Sequence, residues 1–456
     1  MSVKIAALFL FISIVTIASK KHRLVAYWGQ NGVYHQTKKL PYFERDLNYM
    51  CEQTKYDIIA LAFLNIFFDD QNEERMPALN FAYHCTRPSD RRYPTLLQCP
   101  LVEEAIEKCQ KNGKEVILSL GGEIGSYGFS STEDAKLFAY RLWHLFLGGE
   151  ELKDIRPFGK AVLDGLDINA INNTHTGYSD FVQEIRRLEG ETMDNKTNET
   201  TNMTTFDLAA TTQCQFPDRI LGPDAGYVLG DMPSAFNFIF VQFRSVWCTS
   251  EDLDFVLSHL REWFKFSEEK DSGLIFLGLP AGIGAAGDAG CYRTPEELRV
   301  IYDNIKNEPR FGGIMLWDVG FDRASRDDGK KFSDHVYDML NNIPIPTLFP
   351  RPTMINTLPD EKVCSDRAQN CDRMTHLCNR PDFYGEYMKF ACRRTCRNCD
   401  PKHSMTACRD YTGRCIGWKN SGLCDKMDFM GVVCRRSCNL CGGFDTLMYF
   451  IYKRAR

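Results

Sequence analysis

The chain has 456 residues, of which 44% are hydrophobic and 25% are charged. This composition is typical of a globular protein with one large or two medium cores, and it excludes disorder as the default state. The formal net charge of −5 provides no basic surface for nucleic acid or for an anionic membrane, so a neutral partner such as a glycan is favoured.

The first segment, residues 1–18, predicts a secretory signal peptide. Lys4 precedes an apolar run from Ile5 to Ala18, and the small side chains of Thr16 and Ala18 suit a cleavage site. The alternative is a membrane anchor, but about 14 apolar residues fall short of the roughly 20 that span a bilayer. Since no later run is long enough either, we expect a secreted, extracellular protein without a membrane span.

Eight apolar, strand-like runs follow, and amphipathic helical patterns separate most of them, for example at residues 132–147 and 253–270. This alternation over about 320 residues predicts an α/β fold, a (β/α)8 TIM barrel at residues 23–342. Periodicity alone leaves a doubly wound open sheet as the alternative. The barrel is favoured because polar and aromatic side chains occupy the positions where barrel strands reach the carboxyl-terminal face. These are Tyr27, Gln30, Asn65, Asp167, Asn169, Gln242 and Trp317.

A polar insert at residues 190–205 is predicted to be a glycosylated surface loop. It carries three of the four N-glycosylation sequons, which matter only if the chain enters the secretory pathway. The four sequons begin at Asn172, Asn195, Asn198 and Asn202.

Nineteen cysteines in a secreted chain predict disulfides. Seven lie in the first 291 residues and twelve between residues 364 and 441, with a proline-rich linker predicted at 343–363. The twelve form two sets of six, at residues 364–399 and 408–441. This is an internal repeat, and each copy is too small to fold without cross-links. The repeated CxxxCxxC ending also fits a zinc site, but secretion and even counts favour disulfides.

Each set of six resembles the ShKT domain, named for a sea-anemone potassium-channel toxin, in its spacing and in its endings CRRTCRNC and CRRSCNLC. The resemblance implies the pairs Cys364–Cys399, Cys371–Cys392, Cys378–Cys396, Cys408–Cys441, Cys415–Cys434 and Cys424–Cys438. In the toxin a Lys-Tyr pair precedes the fourth cysteine, whereas this chain has Glu386 with Tyr387 and Asp428 with Phe429. An anion thus replaces the cation that plugs the channel, so we expect accessory or interaction modules rather than channel blockers.

The barrel segments resemble those of family 18 glycoside hydrolases, specifically the hevamine-like class III chitinases. The segments in order are AYWGQNG, LAFLN, VILSLGG, VLDGLDI, QCQFPDRILG, VQF, IFLGLPA and FGGIMLWD, and they cover approximately residues 23–340. In that family strand four ends in DGxDxDxE. Asp164, Gly165 and Asp167 match its first three defined places, but Asn169 replaces the last Asp and Ile171 replaces the Glu.

These replacements predict a catalytically inactive relative. In the family the acetamido carbonyl of the sugar attacks the anomeric carbon, so the enzyme supplies no nucleophile but must supply an acid. General acid catalysis contributes roughly 10²- to 10⁴-fold, and Ile171 has no proton to give. Asn169 carries no charge for the cationic intermediate, and Arg244 replaces the Tyr that contacts the acetamido group, where its guanidinium opposes that positive charge.

Two other carboxylates are candidates for the lost acid. Glu123 follows strand three and could overlook the cleft, although a solvated loop carboxylate is the favoured interpretation. Glu184 falls within a helical pattern and is expected to point away. The sugar-contacting residues that the resemblance implies are better kept, and Trp317 is expected to form the hydrophobic floor, although each of them could instead serve packing. They are Tyr27, Gln30, Asn65, Gln242 and Trp317.

The spacing of the barrel cysteines resembles that of hevamine, which implies the pairs Cys51–Cys109, Cys85–Cys99 and Cys214–Cys248 and leaves Cys291 as the odd one. We expect a monomer in which this thiol stays reduced.

The predicted function is lectin-like binding of chitin oligomers or related N-acetylglucosamine glycans, with no cofactor and no metal. A weakly active chitinase and an inert scaffold for protein partners remain the alternatives.

Overall fold

The computed structural model describes residues 22–37, 43–72, 74–85, 87–171, 174–196, 205–245, 247–250, 252–286, 291–327 and 330–343, and then 375, 378, 394–397 and 437. The chain divides into two compact units, Met1–Pro344 and Ile345–Arg456. The predicted signal peptide and the linker after residue 343 lie outside the described residues. Among the described residues, no helix has the length and apolar character that crossing a membrane requires.

Eight parallel strands close into a barrel in the first unit. The strands of the described region are β1 (Arg23–Trp28), β2 (Ile58–Ile66), β3 (Ala78–Leu79), β4 (Arg87–Asp90), β5 (Tyr93–Gln98), β6 (Glu115–Gly122), β7 (Gly165–Ala170), β8 (Asp207–Gln213), β9 (Phe238–Gln242), β10 (Leu274–Pro280), β11 (Phe311–Trp317), β12 (Arg326–Asp327) and β13 (Lys330–Lys331). The barrel order is β1, β11, β10, β9, β8, β7, β6, β2, and β2 pairs back to β1. This closure confirms the TIM barrel and excludes the open sheet.

Helices follow the barrel strands along the chain. They are α1 (Gly32–Thr37), α2 (Leu47–Gln53), α3 (Pro100–Lys111), α4 (Thr132–Phe146), α5 (Tyr178–Lys196), α6 (Val228–Asp231), α7 (Leu253–Glu269), α8 (Pro295–Ile305), α9 (Val319–Ala324) and α10 (Phe332–Leu340). The two predicted helices end one residue earlier than expected. Both begin after an N-cap side chain that accepts backbone N–H groups, Ser131 for α4 and Asp252 for α7.

Alternation along the strands divides the apolar side chains into two clusters. On β1, Val25 and Tyr27 belong to one cluster and Leu24, Ala26 and Trp28 to the other. Successive strand residues point to opposite faces, so one set fills the barrel and the other packs against the helices. By the same alternation, the odd-numbered residues of β7 and β11 and the even-numbered residues of β9 face the barrel interior. This brings predicted site residues of these strands to the barrel mouth.

The polar insert is partly helical, which corrects one prediction. Helix α5 continues to Lys196, so residues 190–196 are not a loop. Ion pairing between Arg187 and Glu191, one helical turn apart, and the hydrogen bond from Thr192 Oγ1 to the Leu188 carbonyl (2.9 Å) supply local support for the extra turns. The other sequons, Asn172, Asn198 and Asn202, lie outside the described residues.

Three disulfides cross-link the described part of the first unit, and one of them joins helices α2 and α3. The bonds are Cys51–Cys109, Cys85–Cys99 and Cys214–Cys248, the pairs that the hevamine-like spacing implies. In the second unit, Cys378 bonds Cys396, the third-with-fifth pairing of the first ShKT set. The remaining pairs expected there fall outside the described residues.

Candidate functional site

A buried carboxyl occupies the centre of the barrel mouth. Asp167 on β7 is completely buried, and three hydroxyl groups donate to it: Ser119 (2.6 Å), Tyr27 (2.7 Å) and Thr211 (2.6 Å). Burial raises the pKa of Asp167 to about 6, although these hydrogen bonds oppose the rise. Because both oxygens are engaged and none of the side chain is exposed, Asp167 organises the floor of the site rather than facing a ligand.

Positions 169 and 171, which follow Asp167 and would complete the catalytic motif, carry no acid. Asn169 is 3% exposed, and its Nδ2 lies 3.5 Å from the Tyr27 hydroxyl. Its Oδ1 has no hydrogen-bond partner within the described part of the chain. Ile171 follows the end of β7, where its backbone N–H donates to the Tyr127 hydroxyl at 3.3 Å. The mouth therefore keeps a polar group at residue 169 and has a hydrocarbon side chain at residue 171.

Arg244 lies directly over the predicted aromatic floor. Its guanidinium carbon is 5.6 Å from the centroid of the Trp317 ring, and its Nε donates to Gln242 Oε1 at 2.9 Å. The side chain is 18% exposed and pairs at 3.8 Å with Glu123, whose side chain is 71% exposed. The amide Nε2 of Gln242 is buried and has no hydrogen-bond partner among the described residues.

The floor itself is aromatic. Trp317 is partly buried and stacks on Phe63, with ring centroids 5.7 Å apart and planes inclined by 20°. The ring of Tyr27 lies 5.4 Å from that of Trp317. Only the indole of these three remains partly accessible, because Tyr27 and Phe63 are 1% and 7% exposed. Trp317 is thus the available stacking surface, whereas Tyr27 serves packing and hydrogen bonding to Asp167.

The amides of Gln30 and Asn65 are held by neighbouring backbone. Gln30 Nε2 donates to the carbonyls of Ala62 (2.7 Å) and Asn80 (2.8 Å), and Asn65 Nδ2 donates to Ile124 (3.1 Å). Both residues are only partly buried. Their amide nitrogens therefore shape the rim, and their role towards a glycan stays a prediction.

The other acidic residues considered lie elsewhere. Asp164 precedes β7, at the opposite end of the strand, where it accepts from the Val116 N–H (2.7 Å) and Gln110 Nε2 (3.1 Å), and burial raises its pKa. Glu184 lies on α5 and binds Arg187 at 2.6 Å. Glu123 is near the mouth but is an exposed loop residue paired with Arg244. None of the three stands at the end of β7.

Sequence reasoning missed a second buried acidic site, formed by Glu44 and Asp318. Asp318, directly after β11, accepts from two backbone N–H groups at the start of α9, but its Oδ2 and Glu44 Oε1 have no hydrogen-bond partner among the described residues. Burial raises the pKa of Asp318 to about 8, and the Glu44 carboxyl adds to the rise. Glu44 Oε2 accepts from the Gly29 N–H (2.8 Å) and contacts His84 Nε2 (3.0 Å).

Ser119 and Thr211 were also missed, although their signal was in the sequence. Both lie on predicted strands at positions that alternate onto the inner face with their neighbours, and a hydroxyl there needs a buried acceptor. For Glu44 and Asp318, 274 positions apart, no comparable local pattern exists. No three His, Cys, Asp or Glu side chains of the described region cluster as metal ligands.

Comparison with known proteins agrees with this geometry. Residues 23–255 match the model of glycosyl hydrolases family 18, and residues 363–399 and 407–441 match ShK domain-like modules. Chitinase 3 of Candida albicans is 32% identical over 70% of this chain and 51% of its own length, so the chain spans about half of that relative.

Two solved structures resemble the barrel. The ICChI chitinase of Ipomoea carnea has a TM-score of 0.54 at 27% identity, covering 70% of this chain and 99% of its own. The xylanase and alpha-amylase inhibitor protein XAIP-II of Scadoxus multiflorus also has a TM-score of 0.54, at 28% identity, covering 69% of this chain and 97% of its own.

Proposed function

The chain belongs to glycosyl hydrolases family 18 and carries two ShK-like domains, and from that premise we propose that its barrel binds glycans without hydrolysing them. The ligands are chitin oligomers or related N-acetylglucosamine glycans. The observation that carries the proposal is an aromatic floor beside a missing acid: Trp317 is only partly buried, although the Arg244 guanidinium lies over its ring, whereas Asn169 and Ile171 follow the buried Asp167. An indole face can stack on the apolar face of a sugar without any proton transfer.

The buried polar groups support a binding role. Asn169 Oδ1 and Gln242 Nε2 are an acceptor and a donor with no hydrogen-bond partner among the described residues. Leaving such groups unsatisfied costs free energy, typically about 1–3 kcal/mol each. A bound sugar that offers N–H, O–H and carbonyl groups would satisfy both.

A secreted protein fits this function. The predicted signal peptide, the disulfides and the sequons agree with an extracellular, glycosylated chain that acts as a monomer, and the two ShK-like domains would serve as accessory interaction modules.

Binding of a protein partner is the second candidate. One similar structure is named as an inhibitor of xylanase and alpha-amylase. Two large apolar side chains in loops after barrel strands, Ile124 and Trp247, are 83% and 76% exposed and are available for contact with such a partner. This reading predicts no glycan binding.

Hydrolysis by a substitute acid is the remaining alternative, and Glu123 would be its proton donor. Calorimetric titration of the full chain with chitotriose and chitotetraose, beside long incubation with a fluorogenic chitotrioside, separates the three functions. The proposal expects saturable binding and no turnover. Turnover that Glu123→Gln abolishes would show that the chain is an enzyme with Glu123 as its acid. Absence of both binding and turnover would favour the function of binding a protein partner.

A further inference from the structure

The end of β9 presents hydrogen-bond donors and positive charge that a neutral sugar does not require. Gln242 is 4% exposed, and because its Oε1 accepts from Arg244 Nε, its Nε2 is the group left without a hydrogen-bond partner in the described region. This hydrogen bond holds the two side chains together, and the amide N–H2 and the guanidinium are the hydrogen-bond donors that they offer. We call Gln242 and Arg244 the β9 donor pair.

Little negative charge opposes an anion at the β9 donor pair. The carboxylate paired with Arg244, Glu123, lies 3.8 Å from it and is 71% exposed, and such solvent-screened pairs are weak. On β7, Asn169 is neutral, and Asp167 is buried beneath three hydroxyl donors. The replacement of acidic motif residues has therefore removed groups that would repel an anionic ligand.

The position of Arg244 also distinguishes ligands. Its guanidinium lies over the Trp317 ring, so a neutral sugar can stack on that face only after the guanidinium moves aside. A ligand with a carboxylate can instead bind the guanidinium where it lies, because planar guanidinium and carboxylate groups form paired, charge-assisted hydrogen bonds. The site thus discriminates in favour of an acidic sugar.

We propose that the barrel mouth selects an N-acetylated sugar that carries a carboxylate, which the β9 donor pair binds while Asn169 Oδ1 accepts a sugar N–H or O–H. This inference rests on the proposed function, since it names the glycan class for the same groove. Two kinds of sugar have this chemistry: one with a lactyl ether carboxylate, as in N-acetylmuramic acid, and one with a carboxylate on the ring, as in N-acetylneuraminic acid.

Matched oligosaccharides test the carboxylate directly. Chitotetraose is compared with the β-1,4 tetrasaccharide that alternates N-acetylglucosamine and N-acetylmuramic acid, and a sialylated N-acetyllactosamine is compared with the methyl ester of its carboxylate, which keeps the sugar and removes the charge. Calorimetry on the full chain at low salt should show at least one acidic probe binding about tenfold or more tightly than its neutral partner, as expected of a hydrogen bond to a charged group. The probe pair that shows this preference identifies which of the two acidic sugars the site selects. The preference should become smaller in high salt.

Variants then assign the preference to the β9 donor pair. Arg244→Gln should lower acidic-probe affinity about ten- to a hundredfold while neutral-probe affinity stays equal or rises, because the indole is uncovered. Arg244→Lys should retain part of the preference, since it keeps the charge but not the planar fork. Glu123→Gln should raise acidic-probe affinity about two- to fivefold. Arg261→Gln removes an exposed arginine on the outer helix α7 and should change nothing.

The ratio of the two affinities is measured within one variant, so partial misfolding does not imitate the result. Neutral binding without an acidic preference would overturn this inference and leave the proposed function standing. An acidic preference that survives Arg244→Gln would also overturn it, because another group would then hold the carboxylate. Failure of every probe to bind would reject both the inference and the proposed function.

Discussion

The buried pair Glu44 and Asp318 makes the stability of the barrel depend on pH. Both carboxyls lie next to Gly320, because a Cβ atom placed on that residue would be 3.2 Å from Asp318 Oδ1 and 3.7 Å from Glu44 Oε1. Burial and Glu44 raise the pKa of Asp318 from 3.8 to about 8, with a smaller contribution from Asp322. The folded state therefore keeps a proton that the unfolded chain releases, and this contribution is complete below about pH 4 and lost as the pH rises through about 8.

The change Asp318→Asn replaces this proton by a permanent N–H. The amide oxygen can still accept from the two N–H groups of α9, and the amide N–H2 can face the unsatisfied Glu44 Oε1. One extra proton bound in the folded state makes the free energy of unfolding of the parent fall by about 1.4 kcal/mol per pH unit between pH 5 and 7. The variant should lose this slope, so its stability relative to the parent should improve by about 2–3 kcal/mol over that interval.

Urea unfolding at pH 5, 6 and 7, followed by tryptophan fluorescence without reductant, measures the slopes. Comparison of parent and variant removes the contributions of Asp167 and Asp207, whose pKa values are also raised, to about 6 and about 7. Glu44→Gln is the companion variant, since it should also flatten the dependence by removing the carboxyl that faces Asp318. Parallel slopes in parent and Asp318→Asn would refute the proposal that Asp318 holds this proton.

Three further predictions concern the barrel. Trp317→Ala should weaken chitooligosaccharide binding by at least ~1 kcal/mol in calorimetry, whereas the exposed Trp247→Ala should not; the reverse pattern would place the ligand on the rim. Removing the Cys51–Cys109 bond should lower the free energy of unfolding by about 4 kcal/mol, and removing the Cys85–Cys99 bond should lower it by about 3 kcal/mol, because the closed loops span 58 and 14 residues. Thermal unfolding of the two double Ala variants checks this order. Cys291 is 1% exposed, so Cys291→Ser should leave migration on a non-reducing gel unchanged, and a dimer that the substitution abolishes would contradict the monomer.

Most of the fold follows from local patterns. Apolar strand runs, amphipathic helical patterns and the order of the motifs sufficed to predict the eight barrel strands, because each signal resides within a short stretch of sequence. The insert at residues 190–196 was predicted wrongly for the same reason: its polar composition suggested a loop, whereas pairing between Arg187 and Glu191 continues a helix that began twelve residues earlier. Composition alone therefore predicted the wrong structure, because it does not include a contact across one helical turn.

The details of the site depend on contacts between distant strands. Tyr27 is predicted to face a sugar, and the sequence did not show that its hydroxyl bonds to Asp167 and Thr211, which lie on other strands. The sequence placed Arg244 near the cleft without indicating that it covers Trp317, 73 positions away. Residue identity indicated which acidic side chains are absent, whereas the remaining accessible surface required the three-dimensional arrangement.

Restoring the motif tests whether the site has lost only its reacting groups. Ile171→Glu supplies an acid, but the Arg244 guanidinium over Trp317 still opposes a cationic intermediate, and Asn169 provides no charge to stabilise it. Adding Asn169→Asp raises the pKa of the new acid by like-charge repulsion, and Arg244→Tyr uncovers the indole.

We expect the single variant to be nearly inactive and the triple variant to hydrolyse a fluorogenic chitotrioside, because the acid alone is worth roughly 10²- to 10⁴-fold only when the groups act together. Ile171→Gln with the other two changes is the matched control without the acid, and it should stay inactive. If the single and triple variants were equally active, Asn169 and Arg244 would be irrelevant to the loss of function. If the parent already matched the triple variant, the inactive-site interpretation would be wrong, and Glu123 would be the first residue to replace.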